Sequence, residues 1–299
     1  MNISLKQTLS GHSSAIYALH KLSNHEILSA GADGFVVLWD LNKENTGKAI
    51  IHVPGVVYSF CLMAGSPNIW VGTDLGIIHC VDGLTGKEIK AIKTDLGGVF
   101  SMKQLKNGYV ISTHGSGHLA FWDSTSGQLI KVVKISDQKI RDFAINVSET
   151  HLIIACSDNQ IYVYDLLKSV IQTKFEAHFP ACNTVVIHPN KPWIISGGRD
   201  AHIQVWDWEN NFDCLMKIPA HNYAIYSLAF SPNKQWLLSA SRDKTCKIWL
   251  ADDLSLIKRI TPENTFSHTY SINQAIWIDD ERFAAAGDDR LVRIWQIGE

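Results

Sequence analysis

Short apolar runs, each broken by a small cluster of turn formers, return at a regular interval along the chain. The clearest copies read ILSAGADGFVVLWD, ending at Asp40, WIISGGRDAHIQVWD, ending at Asp207, LLSASRDKTCKIWL, ending at Leu250, and FAAAGDDRLVRIWQ, ending at Gln296. Weaker copies are VGTDLGIIHCVD, VISTHGSGHLAFWD and IIACSDNQIYVYD, ending at Asp82, Asp123 and Asp165. Their anchor residues are Trp39, Val81, Trp122, Tyr164, Trp206, Trp249 and Trp295, at intervals of 41 to 46 residues. Within a copy, an apolar run, a cluster such as Gly31-Ala32-Asp33-Gly34 and a second, alternating run predict two strands joined by a tight hairpin. A further turn, such as Leu84-Thr85-Gly86-Lys87, leads into another short strand, so about four strands fit each period. No copy sustains a period of 3.6, which argues against helical solenoids and against crossover helices.

At 299 residues, length alone suggests about two domains. Seven copies fill the chain and override that prior. The Trp-Asp endings, Gly11-His12, and the Ala-His pairs at His178 and His221 resemble the WD-repeat family over essentially the whole chain. The copies ending at Asp40, Asp207 and Leu250 match well; the second departs, with Val81 in place of Trp. The resemblance implies an all-β, single seven-bladed propeller of four-stranded antiparallel blades, with repeats near 11–40, 52–82, 94–123, 135–165, 177–207, 220–250 and 267–297. One such sheet exposes two apolar faces, and radial stacking covers both. The chain stops four residues after Trp295, leaving the last blade without an outer strand, while Ile3, Leu5 and Leu9 alternate with polar residues ahead of Gly11. Residues 2–9 are therefore expected to supply that strand and close the ring, as is common in the family.

Composition narrows the partners. Lys and Arg total 27 against 29 Asp and Glu, a formal charge of −2, and 46% of residues are apolar. Such a balance gives no field to hold a polyanion, so neither nucleic acid nor an acidic membrane surface is expected as a partner. The start, MNISLKQTLSGH, has no basic segment leading into an apolar run, and the longest apolar stretch, 50–65, is broken by His52, Pro54 and Ser59. A span needs roughly 20 apolar residues, so a soluble, cytoplasmic protein is expected. Six scattered cysteines, with no C-x-x-C pair, read as buried reduced thiols rather than metal ligands or a redox pair.

Three copies carry the same four polar or aromatic residues: His12, Ser29, Asp33 and Trp39; His178, Ser196, Asp200 and Trp206; His221, Ser239, Asp243 and Trp249. A Ser-His-Asp set invites a reading of nucleophilic catalysis. Repetition argues against it, because a ring needs no three copies of one triad, whereas every blade must satisfy the buried polar groups of its turns. The resemblance implies a structural hydrogen-bond chain from Trp to Ser to His to Asp. That chain is incomplete elsewhere: Ala285 stands in the Ser place beside His268, Asp289 and Trp295, Ser116 in the Asp place beside Ser112 and Trp122, Asp158 remains with Tyr164, and the second copy has Val71 and Val81.

Other motifs read as structure. Gly115, Gly117 and Ala120 spell a dinucleotide-type fingerprint, but FWD follows where a helix would be required. His114 and His118 flank that hairpin, lack a third metal ligand, and are expected to be exposed. The acidic pairs at Asp252, Asp279 and Asp288 sit among turn formers and read as solvated loops. No cofactor, metal or catalytic residue is expected.

Just after each Gly-His position the innermost strand begins, and its early position, expected to be exposed, carries Tyr17, Tyr58, Phe100, Arg141, Asn183, Tyr226 and Asn273. The resemblance places these near the channel entrance. A second ring, the residue before each turn Asp, includes Arg199 and Arg242. Aromatics and Arg around a shallow opening have the composition of a protein-binding hot spot, although Tyr and Phe also suit inner strands by propensity. The expectation is a monomeric, non-catalytic interaction scaffold for a protein or peptide, with Arg199 and Arg242 beside Tyr226 receiving an acidic or phosphorylated segment. The alternative is a propeller enzyme or small-ligand binder with its site in the channel.

Overall fold

The computed structural model describes residues 1–43 and 47–298. Seven four-stranded antiparallel sheets stand as blades around a channel. In blades 1 to 6 the strands run outward in chain order; blade 1, for example, is Ile16–Lys21, Glu26–Gly31, Phe35–Asp40 and Gly47–His52. Blade 7 takes its inner three strands from Ile272–Trp277, Arg282–Gly287 and Leu291–Gly298, and its outer strand from Asn2–Ser10. The pairing runs from Asn2 opposite Gly298 to Ser10 opposite Leu291, with one slip at Lys6, so the ring closes as the alternation of Ile3, Leu5 and Leu9 predicts.

Burial explains the radial arrangement. Middle strands such as Trp193–Gly198 are covered on both faces, while outer strands such as Leu129–Lys134 show an alternating, largely exposed pattern. Each apolar cluster is assembled by adjacent blades: Ile195, Val205, Ile225, Leu237 and Trp249 join blades 5 and 6. Side-chain clasps add to this between innermost strands. Ser59 Oγ donates to the Val99 carbonyl (3.1 Å), Asn183 to that of Ile225 (2.9 Å), Ser227 to that of Ala275 (3.2 Å) and Asn273 to that of Ile16 (2.9 Å).

One irregularity repeats in all seven blades. The innermost strand slips by one residue against its neighbour, between Ile16 and Ala18, Val57 and Ser59, Val99 and Ser101, Ile140 and Asp142, Cys182 and Thr184, Ile225 and Ser227, and Ile272 and Gln274. Such a bulge releases one residue from the ladder and re-aims its side chain. The released residues are Tyr17, Tyr58, Phe100, Arg141, Asn183, Tyr226 and Asn273.

Candidate functional site

The seven bulge residues line the mouth of a channel cavity of about 910 Å³, together with Arg199, Arg242 and Asp288 from the hairpin turns. The mouth is sided. On blades 1 to 3, Tyr17 meets Tyr58 edge-on at 5.4 Å between ring centroids, and Tyr58 stacks on Phe100 at 5.0 Å. Arg141 of blade 4 continues the arc, its guanidinium carbon 5.4 Å from the Phe100 centroid and its Nε donating to Ser157 Oγ at 3.1 Å. Arg199, Tyr226 and Arg242 are exposed on blades 5 and 6. Asn183, expected among the exposed residues, is buried, because its amide is spent on the Ile225 carbonyl. Arg242 lies over Tyr223, with 5.9 Å between the guanidinium carbon and the ring centre, a contact the expected pairing with Tyr226 did not include.

Asp200 and Asp243 do not neutralise the arginines that precede them. Both turn inward: Asp200 binds His178 Nδ1 at 2.7 Å and Asp243 binds His221 Nδ1 at 3.0 Å. The same arrangement holds Asp33 to His12 at 2.9 Å. The other ring nitrogen of each histidine meets Ser29, Ser196 or Ser239 at 2.7 to 2.8 Å, and those hydroxyls accept from the indoles of Trp39, Trp206 and Trp249 at 2.7 to 2.9 Å. Burial alone would raise the Asp243 carboxyl, but bonds from His221, Thr245 and the Asn222 amide outweigh it and hold it below the ordinary carboxylate range. These carboxylates are half-buried and committed to their histidines, while the guanidiniums of Arg199 and Arg242 stay exposed.

Where the chain departs from the pattern, other groups take over. In blade 7, His268 keeps Asp289 at 2.7 Å, and the Trp295 indole donates instead to the Thr265 carbonyl at 3.0 Å. In blade 4, Asp158 serves Ser136 at 2.5 Å and Tyr162 at 2.7 Å, not Tyr164. In blade 2, His79 pairs with Glu88 at 2.6 Å behind Val81. Blade 3 corrects the reading of its hairpin: His114 is fully buried, not exposed. Its Nε2 lies 2.8 Å from Ser112 Oγ, which also accepts from the Trp122 indole at 2.7 Å, and its Nδ1 faces the Gly97 carbonyl at 3.3 Å. A strand histidine thus fills the place left by the missing loop histidine.

The His114 environment has a consequence for acid stability. With Nδ1–H toward the Gly97 carbonyl, Nε2 can accept the Ser112 hydroxyl proton, an arrangement open only to the neutral imidazole. Burial, only partly opposed by the Gly97 carbonyl, lowers its pKa from 6.5 to about 4. The unfolded chain therefore takes up a proton below pH 6.5 that the folded chain refuses until about pH 4. Stability is expected to fall across that window, by about 3 kcal/mol from this group. Urea titrations at pH 7 and pH 4.5 of the wild type and His114→Gln check this: the wild type should lose more, and equal losses would refute the assignment.

The other sequence motifs lie in ordinary turn and strand geometry. Gly117, in the fingerprint-like hairpin, has φ +79°, and a Cβ there would meet the Ser136 carbonyl at 1.9 Å; the strand His118–Asp123 follows, not a helix. Five cysteines are buried and Cys214 is exposed. No helix among the described residues is long and apolar enough to cross a membrane, and they hold no grouping of His, Cys, Asp and Glu suited to a metal ion.

Sequence reasoning missed three exposed aromatics. Phe179, Tyr223 and Tyr270 are 78%, 60% and 62% exposed on loops one or two residues after His178, His221 and His268. The available signal was their place one or two residues beyond the loop histidine; of the three, Tyr223 lies against Arg242 of the mouth.

Comparison with known proteins agrees with the geometry. The family model described as "WD domain, G-beta repeat" matches residues 3–40, 169–207, 212–249 and 260–296, just over half of the chain. Mouse striatin is 22% identical over 219 residues, covering 68% of this chain and 28% of striatin. Eukaryotic translation initiation factor 3 subunit I of Saccharomyces cerevisiae is 25% identical over 211 residues, covering 64% of this chain and 60% of that protein. The chain thus spans less than two thirds of either relative. The WD40 propeller domain of Doa1 superposes with a TM-score of 0.87 at 21% identity, covering 99% of this chain and 98% of that one, a likeness of fold.

Proposed function

The chain belongs to the WD-repeat family, and from that premise we propose that it is a non-catalytic interaction module that receives a protein or peptide partner on the face around the channel mouth. Propellers of this family generally mediate protein–protein interaction. The observation that carries the reading is the bulge-released ring, in which Tyr17, Tyr58, Phe100, Arg141 and Tyr226 gather beside Arg199 and Arg242. Such anchors supply most of the energy of protein interfaces. The exposed Arg199 and Arg242, with their neighbouring carboxylates turned inward, favour an acidic or phosphorylated segment. Asp142 supports binding over chemistry in the channel. It is occupied by Ser101 (3.3 Å), Thr184 (3.0 Å) and Lys103 (3.7 Å), and so joins blades 3 to 5 rather than waiting for a substrate. The module acts as a cytoplasmic monomer in this reading.

Charge reversal at both rim arginines, Arg199→Glu with Arg242→Glu, tests it. As exposed changes they should leave stability within about 0.5 kcal/mol and abolish partner capture from the native lysate. A folded double variant that retrieves the same proteins in the same amounts would move the interaction to another face.

A further inference from the structure

The channel mouth contains a cation that the protein leaves without a counter-ion. Arg141 is partly buried, and of the five N–H donors of its guanidinium only Nε–H has a hydrogen-bond acceptor among the described residues, Ser157 Oγ. The nearby carboxylates are engaged elsewhere: Asp142 with Lys103, Ser101 and Thr184, Asp158 with Ser136 and Tyr162, and Asp288 with Asn273. Among the described residues neither Arg141 nor Arg199 forms an ion pair. The phenol oxygens of Tyr58 and Tyr226, which line the same cavity as Arg141, have no hydrogen-bond partner among the described residues. Burying an unpaired charge is costly, and the cost is recovered only when an anion joins it.

We propose that Arg141 and Arg199, flanked by the Tyr58 and Tyr226 hydroxyls, form an oxyanion site inside the channel mouth that takes one phosphate or carboxylate group carried on a short stalk. The proposal rests on the interaction reading above and deepens it: the anion is held at Arg141, below the rim, and not between Arg199 and Arg242. Burial is the main cause that pulls the Arg141 guanidinium below its ordinary range, Arg199 adds to the effect, and Tyr226 and Tyr58 oppose it. An anion between the two arginines replaces their repulsion with two attractions and can be gripped through paired N–H groups. The cavity has room for such a group, and the Phe100 ring, itself stacked on Tyr58, lies against the guanidinium.

Thermal unfolding of the purified protein in inorganic phosphate, in acetate, and in chloride at equal ionic strength tests the site. Phosphate should raise the wild-type midpoint beyond the general salting effect, as binding to the folded state requires. Arg141→Gln should lose that excess while unfolding, in chloride, at or above the wild-type midpoint, because it removes an unpaired charge. Arg242→Gln should keep the excess. A response to phosphate alone assigns the site to a phosphorylated residue, and an equal response to acetate assigns it to a carboxylate. An Arg141→Gln protein that responds like the wild type, or that unfolds several degrees earlier in chloride, overturns the proposal, the second result marking a structural arginine. If the anion response depends on Arg141 but a protein carrying Arg242→Glu alone still captures its partner, the oxyanion site stands and the pairing of Arg199 with Arg242 at the rim falls.

Discussion

Removal of residues 1–10 is expected to abolish the folded monomer. The lost strand pairs with Leu291–Gly298 along nearly its whole length. Its two buried apolar residues belong to different cores: Ile3 packs with Trp277, Phe283 and Trp295, and Leu9 with Ile16, Leu19 and Trp39 of blade 1. Truncation therefore weakens both interfaces of blade 7. Two buried aliphatic side chains are worth about 3 to 6 kcal/mol before any cavity cost, against a typical domain stability of about 5 to 15 kcal/mol. It also leaves Leu291–Gly298 as an open edge, which invites association. Size-exclusion chromatography with light scattering and a thermal melt decide the matter: a soluble monomer melting with the full-length protein would contradict the closure model.

A single methyl group at Gly198 should do nearly as much damage. Its Cβ would fall 2.2 Å from Cβ and 2.3 Å from Cγ of His178. His178 is fully buried and clamped between Ser196 and Asp200, so it cannot retreat without breaking the chain that ends at Trp206. Overpacking and loss of a buried hydrogen-bond network together put Gly198→Ala at about 3 to 4 kcal/mol of destabilisation. Gly298→Ala is the control, since its Cβ meets nothing nearer than Asn2 at 4.0 Å. Equal unfolding midpoints for the two variants would show that the loop before blade 5 yields more easily than this packing allows.

The architecture was legible because each blade writes its own hairpin into the sequence, and four strands per interval leave few alternatives. The mouth was legible only in part. Position in the repeat identified Tyr17, Tyr58, Phe100, Arg141 and Tyr226, but the bulge that turns them toward the channel is a property of pairing between strands, and no residue type announces it. His114 was misread for a related reason. It stands at the strand end occupied by Gly31, Gly198 and Gly287 in blades 1, 5 and 7, and only the strand's period of two reveals that it shares a face with Ser112. Whether that face is dry depends on the neighbouring loop, which has Asp95 where blades 1, 5, 6 and 7 bring a histidine.

The closing strand also sets the order of events in folding. Blades 1 to 6 are built from consecutive hairpins and can form as they are synthesised, but Asn2–Ser10 pairs with residues roughly 280 positions later. At about 5 to 20 residues per second, that strand waits on the order of 15 to 60 seconds beside the ribosome. Throughout that wait its alternating apolar face, Ile3, Leu5 and Leu9, has no partner. Its charge and polarity, Ser4, Lys6 and Thr8 on the other face, are what keep a nascent edge from pairing with the wrong chain.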